Sequence, residues 1–187
     1  MGYYDDPKNV QQYIDIAEGN DGQELVAALT KYLSGGAEVL ELGMGPGVDL
    51  ELLSQHYQVT GSDTSQVFLD RYQEIHPGAE LLLLDAETIQ TARRFDGIYS
   101  NKVLHHLTPE QLAASFQRQH TILLAGGIAL HSFWLGDSEE VMHGLRFRYY
   151  PEDFLHSLVE PNFTILESTC YAEFEAGDSL YLILKKA

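Results

Sequence analysis

Between Val39 and Leu50 the chain reads Val-Leu-Glu-Leu-Gly-Met-Gly-Pro-Gly-Val-Asp-Leu. An apolar run ends in an acid, three glycines follow at alternate positions, and an amphipathic segment opens. That order describes a buried parallel strand turning sharply into a helix. Glycine lets backbone N–H groups approach a ligand closely and reaches φ > 0 without strain. The helix that follows presents the positive end of its dipole. Together these features point to a nucleotide-like ligand. The spacing narrows the choice, because a dinucleotide loop of the form G-x-G-x-x-G needs a third glycine where Val48 stands.

The rest of the chain repeats the strand-to-acid pattern. Tyr57 to Asp63 reads as a second strand, and Asp63 follows Glu41 by 22 residues. That is about the interval at which Rossmann-like units place a ribose-binding carboxylate. Glu80 to Ala86 is a third apolar strand carrying Asp85, Phe95 to Leu107 a fourth, and Gly126 to His131 a fifth. Glu41-Leu-Gly-x-Gly-x-Gly47 resembles motif I of the class I S-adenosylmethionine-dependent methyltransferases, in their small-molecule, type-11-like branch. The fourth segment, ending Leu104-His105-His106-Leu107, is similar to that family's motif IV. The resemblance runs over roughly residues 37 to 187.

Alternating strands and helices predict an α/β fold, with a parallel sheet covered on both faces. The resemblance extends this to a Rossmann-like, seven-stranded, mostly parallel sheet closed by an antiparallel C-terminal hairpin. Asp6-Pro7 starts a first helix with Val10, Tyr13, Ile14 and Ala17 on one face. A second carries Leu25, Leu29, Tyr32 and Leu33 up to Gly35-Gly36. Helices also follow from Ser65 to Ile75, from Thr108 with its capping-box Gln111, and from Tyr149-Tyr150-Pro151. Phe163 to Tyr171 and Ser179 to Lys185 form the closing strands. We expect one domain over 1–187, with 1–36 a helical lid and 37–187 the Rossmann-like core.

The net charge of −17, with only eleven Lys and Arg, argues against a nucleic-acid substrate, which calls for a basic face. No apolar run approaches the ~18 residues that span a bilayer. The lone Cys170 makes no intramolecular disulfide and excludes a Cys-rich metal site, as expected of a cytoplasmic protein. A monomer or homodimer is expected.

Strand ends are where open parallel sheets bind ligands. The resemblance implies that Glu41, Gly43, Met44, Gly45 and Gly47 surround S-adenosylmethionine and that Asp63 and Thr64 take its ribose. It implies further that Asp85 and Ala86 read the adenine edge, and that Ser100 and Asn101 lie near the methionine end. The resemblance also implies that Tyr13 closes over the cofactor, from the N-terminal region that also holds Tyr3 and Tyr4. Met44 stands where the family usually has a small residue or cysteine.

In-line displacement from a sulfonium needs an aligned nucleophile, and a base only when that nucleophile carries a proton. His105, His106 and His131 are the candidate bases. Trp134, Arg146 and Arg148, in one connection after the fifth strand, are candidate substrate contacts. No metal-ligand cluster appears. The sequence thus predicts metal-independent methyl transfer to a small molecule, releasing S-adenosylhomocysteine. Two alternatives stay open: a non-catalytic cofactor-binding partner subunit, and a nicotinamide-dependent Rossmann oxidoreductase, which Val48 opposes.

Overall fold

A computed structural model describes residues 2–160 and 162–187. The main sheet is built from β1 (Glu38–Leu42), β2 (Gln58–Asp63), β3 (Glu80–Leu83), β4 (Phe95–Asn101), β5 (Leu123–Trp134), β8 (Phe163–Tyr171) and β9 (Ser179–Lys186). Its strand order is β3-β2-β1-β4-β5-β9-β8. The first five strands are parallel, and β9 runs antiparallel to both β5 and β8. The chain adds strands outward from β1 on one side, then returns to β4 on the other. The crevice beyond the carboxyl ends of β1 and β4 is therefore the topological switch point.

The helices are α1 (Pro7–Ala17), α2 (Gln23–Leu29), α3 (Val48–Ser54), α4 (Gln66–Ile75), α5 (Pro109–Ile122) and α6 (Glu152–Val159). α1, α4 and α5 start at side-chain caps, Asp6 accepting Lys8 N–H in the first. The Ser65 side chain accepts from Phe68 N–H. Thr108 and Gln111 bond reciprocally, with Pro109 at the first turn.

Strand periodicity then sorts the core into two faces. Val39, Tyr99, Ile128, Leu130 and Ile183 face one way and pack with Leu25, Leu29 and Leu53 of α2 and α3. Leu40, Leu42, Ile98, Ala129, Phe133 and Leu182 face the other way and pack with Phe116 of α5 and Leu155 of α6. Because both faces are buried, the strands read as apolar runs rather than as alternation.

Several boundaries differ from the sequence reading. The third strand stops at Leu83, and Asp85 lies in the turn beyond it. The fourth stops at Asn101, and Leu104–His106 form a 3-10 turn. The fifth begins at Leu123 and runs on to Trp134, which leaves His131 inside the strand rather than at its end. The second helix ends at Leu29, and its apolar face belongs to the sheet core. Within the closing hairpin only β8 lies at the edge, because β9 inserts beside β5. A separate two-stranded hairpin, β6 (Glu139–Met142) with β7 (Leu145–Arg148), was not foreseen. Its turn residues His143 and Gly144 both take positive φ, and His-Gly lacks the Asn-Gly or Asp-Gly signature of such turns.

Phe116 is fully buried against His131 and Phe163. Phe116→Ala is expected to cost about 3–5 kcal/mol in urea unfolding. The same change at the exposed Phe174 should stay within about 0.5 kcal/mol.

Candidate active site

The glycine segment leaves β1 and enters α3 through three left-handed residues, Gly43 (φ 68°), Gly45 (φ 51°) and Gly47 (φ 89°). Two of them also have no room for a side chain. A Cβ at Gly43 would lie 2.6 Å from Val103, and one at Gly47 2.3 Å from the Tyr72 ring. Beside Gly45 there is open space, bounded only by the Tyr13 ring edge at 3.8 Å from such a Cβ. The loop is held by Met44 N–H to Ser62 O (2.8 Å) and Gly47 N–H to Met44 O (2.9 Å). Met44 itself is buried against Leu50, Leu69 and Tyr72.

Three carboxylates surround this loop. Asp63, at the end of β2, accepts Gly45 N–H through Oδ2 (2.9 Å) and Ser65 N–H through Oδ1 (2.8 Å). Burial raises its pKa above the usual carboxylate range, although these backbone bonds work against the shift. Asp49, in the first turn of α3, accepts Gly22 N–H (2.7 Å), the Tyr99 hydroxyl (2.7 Å) and Asn101 Nδ2 (3.0 Å). Glu41 is 3% exposed, and its Oε2 has no partner. Burial, reinforced by the charges of Asp49 and Asp63, pushes the Glu41 carboxyl well above its normal value. Among the described residues no salt bridge reaches any of the three. Like charges buried together without a counter-charge are costly, and a ligand bearing positive charge relieves them.

The N-terminal segment covers this side of the crevice. The rings of Tyr4, Tyr13 and Phe68 pack edge-on or tilted at 5.4–5.8 Å, and Ser65 Oγ donates to Tyr4 O (2.6 Å). Thr64 is exposed just past β2.

The other predicted residues distribute unevenly. Asp85 uses Oδ1 to accept Glu87 and Thr88 N–H (2.8 and 3.0 Å), which fixes the turn after β3. The Ala86 carbonyl of that turn accepts Ser115 Oγ (2.6 Å). Asn101 faces the crevice, bridging Asp49 and Ser132 Oγ (2.6 Å). Ser100 does not. Strand alternation turns it to the α5 face, fully buried, with its hydroxyl 2.7 Å from His131 Nδ1.

His131 is likewise enclosed, and a role as substrate-facing base does not fit its place. Its Nε2 lies 2.7 Å from Gln119 Oε1, while Gln119 Nε2 donates to Ser115 Oγ (3.1 Å). Gln119 Oε1 can only accept, so His131 carries its proton on Nε2 and accepts Ser100 O–H on Nδ1. Burial pulls its pKa from 6.5 down to about 3. The chain Ser100–His131–Gln119–Ser115 ends at the Ala86 carbonyl, tying β4 to the turn after β3.

His105 and His106 sit in the 3-10 turn after β4. His106 Nδ1 donates to the Arg146 carbonyl, and burial lowers its pKa. Arg146 and Arg148 lie on β7 and share the single carboxylate of Glu139 (2.7 and 3.1 Å), which ties both to the hairpin. Trp134 stacks on His105 and Tyr149, and its Nε1 donates to Glu173 Oε2 (3.0 Å).

Sequence reasoning missed three residues here. Asp49 had only the signal of an acid in a first helical turn. Lys102 takes φ 54° and buries its ammonium against Glu173 (2.6 Å) and Ser179 Oγ (2.6 Å), beside the Trp134 ring. Glu173, in the β8–β9 turn, had no local signal.

Known proteins share parts of this geometry. The sequence model described as "Methyltransferase domain" matches residues 39–127, the segment holding the glycine loop, Asp63, Asp85 and the β4 turn. Over those residues the chain is similar to a methyltransferase domain. Over the whole fold it is similar to the 1,6-didemethyltoxoflavin-N1-methyltransferase of Burkholderia thailandensis, solved with 1,6-didemethyltoxoflavin and S-adenosylhomocysteine. That likeness has a TM-score of 0.81 and 22% identity, and covers 96% of this chain and 84% of that one. The glycopeptide N-methyltransferase MtfA with S-adenosylmethionine is similar at TM-score 0.74 and 17% identity, over 91% and 96% of the chains. The N-methyltransferase NodS of Bradyrhizobium japonicum, with S-adenosylhomocysteine, is similar at 0.69 and 17%, over 95% and 98%.

Two predictions follow from the site. His131 is neutral in the fold, with a pKa of about 3, and ordinary when unfolded, so the unfolded chain binds the extra proton between those values. Its contribution to stability is complete above pH ~6.5 and falls by about 1.4 kcal/mol per pH unit on acidification toward 3. In urea titrations from pH 7 to 5, His131→Gln should flatten the acid-side slope; an unchanged slope would contradict the buried neutral imidazole. Gly47→Ala, which needs positive φ and meets the Tyr72 ring, should lower stability by more than about 1 kcal/mol.

Proposed function

We propose that the protein transfers a methyl group from S-adenosylmethionine to a small molecule by in-line displacement. The observation that carries this is the left-handed glycine loop at the switch point, whose Gly45 N–H meets Asp63, together with the buried Glu41, Asp49 and Asp63, none of which has a salt-bridge partner among the described residues. The sulfonium and ammonium groups of S-adenosylmethionine match that charge deficit, and the similar structures named above were solved with this cofactor or its product.

The residues fit the cofactor. Asp63 spends one lone pair of each oxygen on backbone N–H groups, and a carboxylate has capacity for about four bonds. Two acceptors therefore remain for the ribose hydroxyls. Glu41 Oε2 is a buried oxygen with no partner of its own, free to bond a cofactor group. The Asp85–Ala86 turn, held by Ser115, presents backbone to the adenine, and Tyr13 covers the glycine loop. Asn101 and Asp49 line the methionine side, while Met44 packs beneath the loop and Ser100 takes no part. When bound, the cofactor supplies an electrophilic methyl carbon with a neutral thioether as leaving group. The protein's task is then alignment and exclusion of water, which calls for no Lewis acid. Of the three histidines named as candidate bases, His106 offers Nε2 as a free acceptor once Nδ1 donates to Arg146. Trp134 lies on the acceptor side of the crevice; Arg146 and Arg148 hold the hairpin and serve the acceptor only through it.

No helix among the described residues is long and apolar enough to cross a membrane. A cytoplasmic location fits the lone, exposed Cys170, and we place the protein there as a monomer or homodimer.

Thermal unfolding with S-adenosylmethionine, S-adenosylhomocysteine and NAD in parallel tests the reading. A ligand at 100 times its Kd stabilises the fold by about 2.7 kcal/mol. The first two should raise the Tm by several degrees and NAD should not; a shift with NAD alone would sink the proposal. Asp63→Asn should weaken S-adenosylhomocysteine binding by about 10–100-fold in calorimetry, the loss expected for bonds to a charged acceptor. Labelled-methyl single turnover with a cell extract separates an enzyme from a non-catalytic partner subunit.

A further inference from the structure

Across the crevice from the glycine loop, His105 is 2% exposed, and neither ring nitrogen has a hydrogen-bond partner. Leaving a buried polar group unsatisfied costs its full desolvation, so native structures keep few such groups without a use. The surroundings of His105 are rings lying nearly parallel. Trp134 stacks on it at 4.7 Å and 9°, and Phe147 at 5.6 Å and 28°. Trp134 in turn stacks on Phe147 at 6.0 Å and 23° and on Tyr149 at 5.6 Å and 23°. The Trp134 indole is fixed by Glu173, which is fixed in turn by Lys102.

The layers of this stack are not equally anchored. Trp134 ends a central strand of the main sheet. Phe147 belongs to β7, whose ladder involves only β6, and β6 is exposed along its length. Outward movement of that hairpin costs few backbone bonds beyond the one from His106 to the Arg146 carbonyl. It would open the space that Phe147 fills beside both His105 and Trp134, and leave Trp134 in place.

We propose that this ring-lined nook receives the methyl acceptor, that the acceptor is a flat aromatic or heteroaromatic molecule bearing a hydrogen-bonding N–H or O–H, and that His105 bonds to it while its ring stacks in the place of Phe147. This rests on the methyl-transfer reading and narrows its substrate class. Parallel faces select flatness, because stacking falls away for a puckered saturated ring. An otherwise unpaired imidazole selects polarity, because an apolar ring of the same shape would leave the imidazole nitrogens unsatisfied. Burial, helped by the nearby Lys102 ammonium, holds His105 neutral, with one donor and one acceptor nitrogen. His105 is thus a specificity-determining contact rather than a proton store.

The chain has a single tryptophan, so its fluorescence reports on Trp134 alone. The full chain is first saturated with S-adenosylhomocysteine, its binding followed by calorimetry. It is then titrated with benzimidazole (flat, hydrogen-bonding), indane (flat, without polar atoms) and 2-piperidone (polar, saturated). Benzimidazole should change Trp134 emission saturably and bind at least about tenfold more tightly than either control, the scale of one hydrogen bond to a buried group. In His105→Phe, which keeps a ring and loses the nitrogens, benzimidazole should fall to the level of indane, with S-adenosylhomocysteine affinity within about twofold of wild type. Product binding with no benzimidazole response, or equal benzimidazole binding by His105→Phe, overturns the acceptor site alone. Absence of S-adenosylhomocysteine binding overturns the methyl-transfer reading and the acceptor role with it. The titration on wild-type protein decides the question even if the variant fails to fold.

Discussion

The chain has to pass from β1 into α3 within five residues while leaving backbone exposed beside a crevice, and most of the site depends on how it does so. Left-handed glycines make the turn, and the packing of Val103 on Gly43 and Tyr72 on Gly47 forbids anything larger. Once the turn is made, Glu41 is carried into the interior and Asp49 into the first turn of a helix. Asp63 then receives the Gly45 N–H. Three acids share a small, poorly solvated volume because the loop puts them there.

Asp49 converts that local arrangement into tertiary structure. Its carboxylate joins the start of α2 at Gly22, the middle of β4 at Tyr99 and the end of β4 at Asn101. A charged acceptor with three donors in a buried setting is strong, and it fixes the N-terminal segment over the sheet. On the opposite face the chain from Ser100 through His131 to Ala86 does similar work with neutral groups. One network borders the cofactor crevice, and the other supports it from beneath.

Much of this was legible in the sequence, for identifiable reasons. The parallel core strands are buried on both faces, so they appear as apolar runs, and α1, α4 and α5 begin at capping residues whose bonds are local. Other features were not legible. A period of two says that Ser100 and Asn101 face opposite ways, but not which faces the crevice; α5 decided it. His131 read as a strand-end residue because the Gly126-Gly127 start hid the true length of β5. Arg146 and Arg148 looked free until the hairpin brought Glu139 beside both.

The sequence alone determined the order of strands and helices, the glycine turn and the acids at strand ends, because each depends on contacts between near neighbours or on the period of burial. Only the tertiary structure decided which polar groups are spent and which are left over. Glu41, His105 and His131 are all buried, yet His131 is satisfied on both nitrogens, His105 on neither, and Glu41 lacks a partner for Oε2. Pairing across long stretches of chain depends on packing angles and strand register. Those follow from the whole fold, so no local pattern of residues encodes them.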